Sequence, residues 1–150
     1  MVRQAICNCG RNSEIFICKG TLTKDVYIKA GLQKRFLPFI RSHAVPPLFW
    51  PDLASVHYAK DTINWYEANK VVFVPKEVNP HNCSHLRPIE TYWALLKQQL
   101  MKTGKEAKNV VSFAWYWKNA AQRVRSDVVK RLMARLSSKV FKFSREPLDG

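Results

Sequence analysis

Two short apolar runs open the chain, VRQAIC (2–7) and EIFIC (14–18), and the NCGRNS between them carries Gly and Asn turn residues. This pattern predicts a β-hairpin. The period then changes. After TLTKD (21–25), with Thr23 placed to cap a helix, Ile28, Leu32, Phe36, Phe39 and Ile40 recur at helical spacing. Pro38 falls inside that stretch and should kink or end the helix near its last turn. Pro46 and Pro47 lead into LFW (48–50), a brief buried run that Pro51 should stop. A helix is expected from about Ser55 to Ala68, with Ala59, Ile63 and Tyr66 inward and Asn69 at its end. VVFV (71–74), β-branched and closed by Pro75, reads as the clearest strand. Strand, helix and strand of these lengths predict a βαβ unit with parallel strands.

Beyond a loop, KEVNPHNCSHL (76–86), Pro88 suits the first position of a helix. Ile89, Trp93, Leu96 and Leu100 form its expected core stripe, and Glu90 projects in a different direction. Two more amphipathic segments follow, marked by Val110, Phe113, Trp117, Ala121 and Val124, then by Val129, Leu132, Leu136 and Val140.

Composition narrows the class. A chain of 150 residues with 47% hydrophobic positions and five Trp can bury a real core. The longest nearly apolar run, VVSFAWYW (110–117), is far short of a membrane span. The N-terminus lacks the apolar core and cleavage site of a signal peptide, so an intracellular protein is expected. A formal net charge of +14 points to an anionic partner, nucleic acid first. The excess is concentrated: residues 97–145 hold thirteen Lys or Arg against Glu106 and Asp127. The bland alternative is a solvated basic face.

Four cysteines, Cys7, Cys9, Cys18 and Cys83, follow no disulfide framework and fit a reducing compartment. A zinc reading can be built from CNC (7–9), HNC (81–83) and His85, but these are not the usual ligand spacings.

The more telling pair is acidic. Asp52 should lie just past the C-terminal end of one strand, and Glu90 begins a helix entered from the neighbouring strand's C-terminal side. Ligands bind at that edge of an open α/β sheet. Two carboxylates on a basic protein suggest magnesium held against phosphate, since magnesium takes hard oxygen ligands. Two such ions about 4 Å apart could clamp the attacking and leaving oxygens of a phosphoryl displacement. A turn residue and a helix-dipole partner would explain the same two acids without chemistry.

The stretch FWPDLASVHYAKDTINWYEANKVVFVPKEVNPHNCSHLRPIETYWALLK (49–97) resembles the catalytic core of mariner-superfamily DDE transposases, in the branch with 37 residues between the second and third acids. The matching positions are the Asp-x-x-x-x-His of Asp52 to His57 and the later signature of Asn79, Pro80, Leu86, Pro88, Ile89, Glu90 and Trp93. VRQAICNCG and EIFICKG resemble the family's second and third strands.

The resemblance implies an α/β, RNase H-like mixed sheet flanked by helices. Residues 1–103 would form a truncated core lacking its first central strand, and 104–150 a basic helical extension packed on it. It implies Asp52 and Glu90 as catalytic, metal-binding acids, with two magnesium or manganese ions in an intact homologue. His57 would orient the site or contact DNA, and Arg87, Lys97, Lys102 and Lys105 would face DNA. The implied partners are transposon-end and target DNA and a second copy of the chain, with no membrane, in the nucleus. The family reaction is hydrolysis at transposon ends followed by strand transfer to target DNA.

The sequence also departs from the family. No residue stands in for the first acid, since Glu14 and Asp25 belong to a strand and a helix start. The family's helix-turn-helix region has no counterpart here. Arg3 replaces a usual strand Trp, and Ser84 and His85 replace a Pro-Glu pair. The expectation is a truncated or decaying copy, inactive alone; a basic DNA-binding or partner-binding module without catalysis is the alternative.

Overall fold

The computed structural model describes residues 1–81, 86–104 and 106–143, with side chains described up to 136. The chain is a mixed α/β protein, mainly helical, and divides into two compact units. One comprises Met1–Ala5 and Ser13–Asn82; the other comprises Ile6–Asn12 and Cys83–Gly150. Among the described residues no helix is long and apolar enough to cross a membrane.

The first unit begins with the expected antiparallel pair, but its ladder is short. Strand β1 (Val2–Arg3) pairs with β2 (Phe16–Ile17) in the register Val2↔Ile17 and Arg3↔Phe16. Ser13 accounts for the early end. Its buried hydroxyl accepts from the Ala5 N–H at 2.8 Å and its carbonyl accepts from Gln4 Nε2 at 3.0 Å. Side-chain bonds thus take over backbone groups that a longer ladder would use.

Helix α1 runs over 24–41 and Thr23 caps it, accepting from the Val26 N–H at 3.4 Å. The spacing predicted an ordinary α-helix, whereas Tyr27–Phe36 forms a π-helix between the α-helical ends Lys24–Val26 and Leu37–Arg41. Here hydrogen bonds reach back five residues, as from the Leu37 N–H to the Leu32 carbonyl. The wider turn brings Tyr27, Leu32 and Leu37, five apart, into the core with Phe36 and Ile40. Pro38, which the sequence placed as a kink, sits at the start of the last α-helical turn, where its missing donor does least harm.

The expected parallel strands at 48–50 and 71–74 shrink to one bridge, Phe49↔Phe73, held by Phe49 N–H to Val72 O at 2.8 Å and Val74 N–H to Phe49 O at 2.9 Å. The chain leaves no room for more. Pro46, Pro47 and Pro51 confine one segment, Pro75 ends the other, and the Val71 N–H is already spent on the Tyr66 carbonyl at 2.9 Å. The parallel direction is as expected; the mixed sheet of an RNase H-like fold is not seen among the described residues. Between these segments lies a 3₁₀ turn, Ser55–His57, then helix α2 (Lys60–Ala68), which ends at Asn69 as expected. Tyr27, Leu32, Phe36, Ile40, Tyr66 and Val71 form the unit's core, with Phe49 and Phe73 packed against it.

The second unit holds three helices: α3 (Pro88–Lys102), α4 (Val110–Arg123) and α5 (Ser126–Phe143). Pro88 opens α3 as expected. Its buried face is turned one position from the expected stripe, because Tyr92 joins Leu96 in full burial while Ile89, Trp93 and Leu100 are half-buried. Asn12 Nδ2 donates to the Tyr92 hydroxyl at 3.0 Å, which makes that burial tolerable. Burial pushes the Tyr92 phenol up to about 12, against a smaller downward pull from Asn12. Helix α4 starts with a capping box between Asn109 and Ser112, and Trp117, Ala120 and Ala121 are buried. Val129 and Leu132 do the same for α5; Val140 lies outside the described side chains.

Gly10 lets the turn approach α5. Its φ is +90°, and a Cβ there would meet Ser126 Oγ at 2.2 Å and the Ser126 carbonyl at 2.8 Å. Gly10→Ala is therefore expected to cost at least about 2 kcal/mol and to lower Tm by ~5 °C or more in thermal unfolding followed by circular dichroism.

Candidate functional site

The fold gathers several charged and polar side chains around Asp52 in the first unit. Arg3 Nη1, projecting from β1, donates to Asp52 Oδ2 at 2.6 Å. The other carboxylate oxygen accepts the Ala54 N–H at 2.9 Å and lies 3.1 Å from His57 Nε2. His57 is 5% exposed. Its Nδ1 is 2.6 Å from the hydroxyl of Tyr27, which is 3.4 Å from the hydroxyl of Tyr66. A polar chain thus runs from Arg3 through Asp52 and His57 to two buried tyrosines. The His57 ring also stands edge-on to Tyr27 and Phe49.

The tautomer of His57 decides the direction of these bonds. Arg3 Nη1 is also 3.1 Å from Nε2. An unprotonated Nε2 accepts from Arg3 and leaves Nδ1–H to donate to Tyr27; a protonated Nε2 donates to Asp52 instead. Partial burial alone would raise the Asp52 carboxyl. The His57 hydrogen bond and charge, the Ala54 N–H and Arg3 outweigh it and hold the group well below the usual carboxylate range. Burial pushes both tyrosine hydroxyls upward, so they remain protonated.

Asn79 ties the same segment from the other side. Its carboxamide oxygen accepts from Trp50 Nε1 at 2.8 Å, and its Nδ2 donates to Pro51 O at 2.9 Å and to the Tyr58 hydroxyl at 2.5 Å. Tyr58 in turn donates to Val74 O at 3.1 Å. Asn79 of the sequence signature therefore anchors the residues flanking Asp52. The signature marked the position, but only the fold reveals what Asn79 binds. Tyr27 had no signal beyond an aromatic in a helix, and Arg3 none beyond an unexpected charge in a strand.

The remaining expected residues fall in the second unit. Glu90 is exposed on the first turn of α3, and Lys97 and Lys102 are exposed further along it. Arg87 is buried at 8% exposure, so it is not a surface cation free to meet a phosphate. Lys105 lies outside the described residues, as do Cys83 and His85 of the zinc reading. Cys7 is a buried free thiol raised by that burial, and its Sγ accepts the Cys9 N–H at 3.4 Å.

Magnesium needs a carboxylate oxygen with an open approach. Both Asp52 oxygens already hold partners, Oδ2 a guanidinium and Oδ1 an amide beside an imidazole, although the side chain is 40% exposed. As arranged, a metal in the role that the resemblance implies would have to share the carboxylate with Arg3. No protein-family model and no curated sequence matches the chain.

Two outcomes follow. Asn79→Ala removes three hydrogen bonds of a buried side chain, to Trp50, Pro51 and Tyr58, and is expected to destabilise by about 2–3 kcal/mol in urea unfolding. Asp52 has a folded pKa below its ordinary value of 3.8. Its stabilising contribution is therefore complete above that pH and lost as pH falls through the folded value. Asp52→Asn should be less stable than the parent at neutral pH, and the difference should narrow in urea titrations run progressively below pH 3.8.

Proposed function

We propose that the chain is a nucleic-acid-binding remnant of a mariner-superfamily DDE transposase core and does not cleave DNA by itself. The observation that carries this reading is the contact between the two residues of the Asp-x-x-x-x-His signature. His57 Nε2 lies 3.1 Å from Asp52 Oδ1, just past Phe49, which bridges Phe73 in the parallel sense. Contact between the two signature residues supports the reading. Sequence agreement from 49 to 97 supports the reading from a second side.

The family chemistry places three acids around two magnesium ions. This chain supplies counterparts of two, Asp52 and Glu90, and the first of these is bound to Arg3. Losing a metal ligand removes an electrostatic and positioning contribution worth several kcal/mol, on the order of 100-fold or more in rate. Binding needs no such precision. The exposed Lys97 and Lys102 of α3, with Lys118 and Arg123 of α4, Arg125 in the link that follows, and Lys130 and Arg131 of α5, supply cations for a phosphate backbone. A basic module with no transposase ancestry is the second reading, favoured by the Arg3 contact with Asp52. The first makes DNA the ligand and the second DNA or another anionic partner; a nuclear location and a second copy of the chain as partner belong to the first alone.

Duplex DNA should bind equally in EDTA and in magnesium at matched ionic strength, with log K falling linearly against log salt. Neutralising Lys97 and Lys102 to Gln should reduce that slope by up to about two. Magnesium-dependent nicking abolished by Asp52→Ala would overturn the claim of inactivity.

A further inference from the structure

The geometry points to a cation that the Asp52 site carries within itself. We propose that the Arg3 guanidinium is a resident counter-ion occupying the position a divalent metal would take, so that Asp52 takes up neither magnesium nor manganese while Arg3 is in place. This goes beyond the functional reading above and stands or falls independently of the ancestry.

Three observations carry it. The first is occupancy. A magnesium ion on Oδ2 would sit about 2.1 Å from that oxygen. Arg3 Nη1 already lies 2.6 Å from it, so an ion on the same oxygen would stand against a guanidinium and meet its repulsion. The second oxygen is no alternative, with the Ala54 amide at 2.9 Å and the His57 ring at 3.1 Å.

The second is charge. Arg is permanently protonated in proteins. With Asp52 it makes a neutral pair, and a protonated His57 would make the cluster positive. A divalent cation entering there meets no net negative charge to offset the water it must shed.

The third is anchoring. Arg3 is not a loose surface side chain that a metal could push aside. Its backbone is set by the Arg3↔Phe16 pairing, and its side chain is 18% exposed against 40% for Asp52. Its Nη1 also contacts His57 Nε2 at 3.1 Å, and its Nε is buried. Displacing it would break the link from β1 to the 52–57 segment, and not a single surface ion pair.

The Ala54 amide, bonded to Asp52, reports directly on the site. In ¹H–¹⁵N spectra of the full chain, manganese alone is the probe. The wild type and the charge-preserving Arg3→Lys should show no selective broadening of Ala54. Arg3→Gln should show it at manganese concentrations lower by about tenfold or more, the range expected when a charged competitor is removed from a half-buried carboxylate. The effect should vanish in Arg3→Gln with Asp52→Asn. Arg3→Met, which keeps the apolar stem, replaces Arg3→Gln should the latter not fold. Selective broadening of Ala54 in the wild type, competed away by magnesium, would overturn the proposal, as would a folded neutral variant that gains nothing. Neither result bears on DNA binding, whose failure would show only in the salt titrations.

Discussion

A single carboxylate organises the first unit. Asp52 accepts from Arg3 on β1 and from Ala54 in its own loop, and it meets His57 in the turn before α2. Through His57 the connection reaches Tyr27 of α1 and Tyr66 of α2, both buried in the aromatic core. Strand, loop and two helices thus share one polar junction. A half-buried ion pair of this kind adds little net stability over an apolar substitute, yet removing one partner strands the other. The contribution of such a junction is to arrangement: it sets which segments meet.

Asn79 completes that restraint. Its three hydrogen bonds hold Trp50, Pro51 and Tyr58, so the residues around Asp52 are fixed from both flanks while the ladder beneath them amounts to one bridge. Side chains do here what backbone pairing does in a larger sheet. A rigidly presented carboxylate is what metal chemistry requires, and the signature residues supply it. In this chain the negative charge so presented is already neutralised. On the proposed reading, the basic helices of the second unit would need no comparable precision, because attraction to phosphate is long-ranged and tolerant of geometry.

Much of the local structure was legible in the chain. The antiparallel pair, the Thr23 cap, the Asn69 stop, the Pro88 helix start and the buried Trp117 and Val129 follow from period and capping chemistry that act within a few residues. The misses have separate causes. The π-helical stretch at 27–36 serves the core packing of Tyr27 and Leu37, and α3 turns toward Tyr92 because the Asn12 amide, 80 residues away, meets its hydroxyl. The ladders are short for nearby reasons, the Ser13 hydroxyl in one case and the flanking prolines in the other.

The candidate site divides along the same line. The sequence by itself determined which residue types are present: two acids, a histidine five positions after the first of them, an Asn-Pro pair, and a strongly basic C-terminal third. It also showed Arg3 standing where the resembled family usually has a Trp. Only the tertiary structure decided that Arg3 meets Asp52 and that Asn79 binds the segment beside it, contacts spanning 49 and 28 residues. The physical reason is that a side chain's charge is written in the sequence, whereas its partner is selected by chain packing, and a carboxylate's chemistry depends on which cation arrives.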